Sequence, residues 1–112
     1  MPHFKYVVFT EPVAGREDEY NDWYTNRHLS EVLAVDGFVA AQRFRIVDLD
    51  SNGKPASRYM AIYEIEAEDP KAVLDRLTAT ALSGGMVISD ALDAASAKTF
   101  LYAPISDRVT RT

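Results

Sequence analysis

Three stretches of this chain are apolar on both of their alternating sets of positions, and no other feature restricts its fold so tightly. Side chains of a β-strand point to opposite faces in turn, so a sheet with one wet face reads as apolar alternating with polar. Here Tyr6 and Val8 are interleaved with Val7 and Phe9. In the same way Tyr59, Ala61, Tyr63 and Ile65 alternate with Met60 and Ile62, and Leu101 and Ile105 with Phe100 and Tyr102. Both faces of the sheet therefore have to be covered. A chain of 112 residues makes one domain, and its own helices can cover one face. A bare apolar second face is a liability, which a second copy of the chain removes. The expectation is a homodimer whose two sheets pack face to face.

Local signals place the elements. His3 to Glu11 (HFKYVVFTE) is rich in β-branched and aromatic residues and stops at Pro12, as a strand does. Glu17, Asp18 and Glu19 supply first-turn negative charge for a helix starting near Arg16. Tyr20, Trp23 and Tyr24 share one stripe of that helix, with the stem of Arg27 beside them, but Leu29 and Leu33 fall on the opposite side of a straight helix. This mismatch predicts a kink or restart beside His28, with Ser30 capping a new turn at Glu31 and a stop at Gly37. Phe38 to Asp48 and Arg58 to Glu66 follow as strands joined by a polar loop carrying Asn52-Gly53. Asp69 before Pro70 caps a second helix, with Leu74, Leu77, Ala81 and Leu82 as its apolar stripe and Gly84-Gly85 as its end. Residues 86–96 are ambiguous, with Ser89 able to cap a short turn carrying Leu92, and Lys98 to Ile105 reads as the last strand. Strand, helix, strand, strand, helix, strand is the ferredoxin-like order βαββαβ. Right-handed crossovers then give an α+β fold with a four-stranded antiparallel sheet and both helices on one face.

Composition removes several classes of function. Cysteine is absent, which excludes disulfides, thiolate metal sites and a cysteine nucleophile, and fits a reducing compartment. The N-terminal residues lack a signal-peptide pattern, and no apolar run approaches the ~20 residues that span a bilayer. A cytoplasmic protein without membrane contact is expected. Net charge is −5 with scattered basic residues, unlike the clustered basic footprint of a nucleic-acid binder. Only two histidines are present and no carboxylates are marked beside them, so no metal site is expected. Asp48 to Gly53 imitates the start of a calcium loop, but the twelfth position is Tyr59 instead of glutamate, and Pro55 interrupts it. Gly84-Gly85 lacks phosphate-loop spacing, and no serine stands in a nucleophile elbow.

Asp22-Trp23-Tyr24, His28-Leu29, Glu31-Val32-Leu33 and Gly37-Phe38, followed by strand residues ending in Tyr63-Glu64, form a recurring pattern. In it the chain resembles the dimeric α+β barrel superfamily, and within it the EthD-like proteins. Ser30 stands where many members have proline. The resemblance implies the fold and dimer already derived, and a substrate cleft between helix and sheet. It leaves the chemistry open, because the superfamily includes cyclases, monooxygenases, haem-degrading enzymes, dehydratases and members without known activity.

His28 is the leading candidate for a general acid/base, since imidazole exchanges protons near neutral pH. Its alternative role is to cap carbonyls at a helix break. Tyr24 and Tyr63 could hold the oxygen of a phenol or enolate, with Trp23, Arg27 and Tyr6 as substrate-binding neighbours. Trp23 and Tyr24 also read as core, the commoner role of aromatic residues at helical spacing. Arg43 and Arg45 share one strand parity and are read as a solvated edge or the rim of the dimer. The expected function is a cofactor-independent cyclase, dehydratase or lyase acting on a small aromatic or polyketide-like molecule. Alternatives are a non-catalytic small-molecule binder, an accessory dimer of a catabolic pathway, or a structural dimer whose cavity is filled. Haem is a further alternative through an axial His28, disfavoured by the lack of a basic cluster for its propionates.

Overall fold

A computed structural model describes residues 1–47 and 57–112. The Asn52-Gly53 hairpin loop and the calcium-loop imitation at Asp48 to Gly53 lie outside the described residues. Four strands, β1 (His3–Pro12), β2 (Phe38–Arg45), β3 (Tyr59–Glu66) and β4 (Leu92–Tyr102), form one antiparallel sheet in the order β2-β3-β1-β4. The first helical segment comprises α1 (Glu17–Trp23), a π-helical turn (Tyr24–His28) and α2 (Leu29–Leu33); α3 (Pro70–Leu82) lies between β3 and β4. This is the ferredoxin-like βαββαβ arrangement expected from the sequence.

The mismatch in the first helix is resolved differently from the expectation. His28 and Leu29 keep helical backbone angles, and the Leu29 N–H donates to the Tyr24 carbonyl five residues back. One extra residue in that turn rotates the following stripe, so Val32 is buried and Leu29 packs against the core, while Leu33 stays exposed. Ser30 is therefore not a cap. It sits within the helix, and its hydroxyl donates to the Arg27 carbonyl at 2.8 Å.

The second helix starts as expected: Asp69 accepts from the Ala72 N–H, with Pro70 at the first helical position. Its stripe is shifted, however. Val73 is fully buried and Leu74, Leu77 and Ala81 pack beside the core, whereas Leu82 is exposed. Gly37 explains part of this. Its φ of +104° is open to glycine, and a Cβ there would stand 2.5 Å from a Val73 methyl, so Val73 closes directly over the Gly37 backbone.

The last strand begins at Leu92, six residues before the expected Lys98, and ends at Tyr102, leaving Ile105 fully exposed. Ser89 forms a turn, its hydroxyl accepting from the Ala91 N–H, and the chain then enters β4 directly. Asp93 and Ser96 disguise this half of the strand. Its pairing with β1 changes register between Phe9 and Glu11, and there the Ser96 hydroxyl accepts from the Glu11 N–H at 2.8 Å.

The two faces of the sheet are now distinct. Tyr59, Ala61, Tyr63 and Ile65 are buried with Tyr20, Trp23, Tyr24, Val32 and Val73. The other parity places Val7, Phe9, Met60 and Ile62 on the opposite face, half-buried within the single chain. Phe44, paired with Met60, and Phe100, paired with Val7, extend that apolar surface.

Candidate functional site

The π-helical turn sets the position of His28. Its imidazole stacks on the Trp23 indole, with centroids 4.7 Å apart and planes 25° apart, and meets the edge of Tyr24 at 4.9 Å. Trp23 is fixed in turn by its indole N–H, which donates to the Val87 carbonyl at 2.7 Å. The Nδ1 of His28 is buried and has no partner among the described residues, so the capping role is not what it performs. Burial pushes its pKa below the ordinary imidazole value; Glu31 opposes that shift and Arg43 adds to it. Burial thus favours the neutral form of His28.

Tyr24 and Tyr63 meet beneath it. The Tyr63 hydroxyl donates to the Tyr24 oxygen at 3.1 Å within the core. Burial raises both phenols, Tyr24 to about 12 and Tyr63 higher still, so both stay protonated. Tyr6 pairs with Tyr63 across the β1–β3 ladder, their rings 6.3 Å apart. Trp23, Tyr24, His28, Tyr63 and Tyr6 therefore form one aromatic group. Arg27 stands apart from it, exposed, with its Nε 3.5 Å from Glu31. Glu31 is anchored through its other oxygen, which accepts from the Val87 N–H at 3.2 Å.

Arg43 corrects the sequence reading. It lies opposite Ala61 in the ladder, which turns it toward the helices instead of the rim. Its guanidinium carbon is 4.4 Å from the centre of the Tyr24 ring, 5.2 Å from Tyr20 and 5.4 Å from Tyr59. Nη1 donates to the Thr25 hydroxyl at 3.0 Å, and Nη2 is buried without an acceptor among the described residues. Only its shared parity with Ala41 signalled this placement in the sequence. Arg45, one ladder step further, is exposed at the sheet edge as expected.

Between α1 and the edge of β2 lies a groove of about 290 Å³ lined by Asn21, Thr25, Arg43, Phe44, Arg45 and Tyr59. Beside it the Tyr59 hydroxyl donates to Glu17, and Arg58 bridges Glu17 and Glu11. A second groove of about 190 Å³ runs along the start of β1 and the end of β4 past Phe4, Glu64 and Tyr102, and a third of about 480 Å³ lies between α2 and α3 past Glu31 and Arg76. Among the described residues no group of three histidine, aspartate or glutamate side chains is arranged to hold a metal ion. No helix there is long and apolar enough to cross a membrane.

Sheet order and helix placement define a ferredoxin-like α+β domain with a four-stranded antiparallel sheet. No protein-family model and no curated protein matches the sequence. Solved structures match the fold over nearly its full length. The haem-degrader MhuD from Mycobacterium tuberculosis, solved with two haems in its active site, is 18% identical at a TM-score of 0.64, covering 95% of this chain and 99% of that one. An EthD family protein from Bacillus halodurans is 13% identical at a TM-score of 0.52, covering 94% and 100%. A protein from Arabidopsis thaliana is 18% identical at 0.58, covering 95% and 99%.

None of the three grooves is lined by His28.

Proposed function

We propose that this protein is a cofactor-independent acid/base enzyme acting on a small aromatic or polyketide-like molecule. The observation that carries the reading is His28: an imidazole whose neutral form is favoured by burial, held in an aromatic wall, with a buried nitrogen that has no partner among the described residues. Neutral imidazole accepts a proton from an activated carbon or a phenol, and returns it to a neighbouring atom in a cyclisation, dehydration or lyase step. Tyr24 accepts from Tyr63 and keeps its own O–H to donate to an oxygen gaining negative charge. Trp23 and Tyr6 supply flat apolar surface for the ring. In this reading the half-buried sheet face pairs two copies in the cytoplasm.

A second reading, a non-catalytic small-molecule binder, draws on the Tyr24–Tyr63 bond, which commits the Tyr63 proton to Tyr24. The two separate experimentally. Phenolic acids and polyketide-like aromatics are screened by thermal shift against the wild type and His28→Ala, and hits are followed for turnover. The enzyme reading expects a ligand that is converted, with kcat falling roughly 100- to 10,000-fold in the variant. Binding without conversion, equal in both proteins, selects the binder.

A further inference from the structure

We propose that the groove between α1 and the β2 edge, whose lining does not include His28, is a binding site for small planar carboxylates. Arg43 carries the argument. A guanidinium lying over aromatic rings is held through its face, and its N–H groups, which radiate in its plane, still need acceptors. Nη1 has one, the Thr25 hydroxyl at 3.0 Å; Nη2 has none among the described residues and is closed off from water. An unsatisfied donor of this kind costs free energy, and more so when charged.

A carboxylate satisfies the pair together. It replaces Thr25 as the acceptor of Nη1, and as the guanidinium turns outward from the rings it also takes Nη2, the bidentate geometry in which arginine outperforms lysine. The displaced Thr25 hydroxyl, released from accepting, turns its proton to the ligand. Asn21 contributes as well: its amide donates one hydrogen to the Tyr59 hydroxyl at 3.2 Å and has a second to give. The nearest carboxylate, Glu17, is already engaged by Tyr59 and Arg58. Tyr59 offers apolar surface for the body of the ligand, and about 290 Å³ is at the small end of ligand sites. Size, donors and ring together select an aromatic or short unsaturated monocarboxylate.

Benzoate is the probe, titrated into the full chain up to roughly 10 mM, an excess over a weak, millimolar site, with backbone amide NMR as the readout. The site predicts saturable shifts centred on Asn21, Thr25, Arg43 and Arg45, and none with benzamide, which has the same shape without the charge. Arg43→Gln should weaken binding by about tenfold or more, the loss of a charge-assisted hydrogen bond. Thr25→Val, an exposed and nearly isosteric change, should weaken it several-fold and keeps the test valid if Arg43→Gln does not fold. His28→Ala should leave benzoate binding unchanged, which separates this site from the proposed acid/base function. Absence of saturable shifts, equal binding of benzamide, shifts centred away from the groove, or undiminished binding to Thr25→Val overturns the proposal.

Discussion

The imidazole of His28 lies 4.7 Å from the indole of Trp23, nearly parallel to it, although the two residues are five apart in sequence. On a regular α-helix a separation of five rotates side chains onto different faces. The π-helical turn from Tyr24 to His28 adds the residue that brings them together. Such turns are uncommon and cluster at functional sites, and here one builds the wall of the candidate site.

That wall makes stability depend on pH. A histidine whose folded pKa lies below its unfolded value takes up its proton less readily when folded. Stability is therefore full above pH 6.5 and declines as pH falls from there toward the folded pKa. Chemical denaturation across that range should show the decline in the wild type and a flatter profile in His28→Gln. Because Glu31 raises the His28 pKa, Glu31→Gln should lower it further in an NMR titration of the imidazole. An upward shift would contradict the electrostatic account.

The phenol pair should behave as a coupled unit. Removing either hydroxyl leaves the other buried without its partner, whereas removing both does not. In a double-mutant cycle of Tyr24→Phe and Tyr63→Phe, the double variant should be more stable than additivity predicts by about 1 kcal/mol. Simple additivity would mean that the 3.1 Å contact contributes nothing.

Gly37 and Gly84 provide a matched comparison. Both have positive φ, but a Cβ at Gly37 would strike Val73 while one at Gly84 meets nothing within 4 Å. Gly84→Ala bears the backbone cost alone. Gly37→Ala should lose roughly 1–3 kcal/mol beyond that through overpacking, seen as a lower urea midpoint. Equal losses would show that Val73 yields without strain.

The apolar sheet face predicts self-association. Sedimentation at micromolar concentration should give a dimer for the wild type and a monomer for Ile62→Asp, which puts a charge in the centre of that face. A monomeric wild type would remove the case for paired sheets.

Element order was legible in the sequence because its signals are local. Asp69-Pro70 starts one helix through a side-chain cap and a missing N–H, and Gly37 ends a segment because only glycine is at ease at its φ. The two-sided apolar strands announced a sheet with both faces in demand, and Tyr59, Tyr63, Met60 and Ile62 occupy those faces as their parity requires. The first half of β4 was hidden, since Asp93 and Ser96 enter the sheet through backbone pairing with β1 and a serine hydroxyl at the register change.

The candidate site divides along the same line. By itself the sequence determined that Trp23, Tyr24 and His28 share one short helical stretch, and that its apolar stripe could not stay in phase. Only the tertiary structure decided how the phase was restored: a π-helical turn, favoured because it buries Val32 without breaking the backbone. Only the tertiary structure, too, brought Arg43 under the rings of Tyr20, Tyr24 and Tyr59. Parity assigns a strand residue to one of two faces, but which face meets the helices depends on how the whole sheet is covered, and no local pattern encodes that choice.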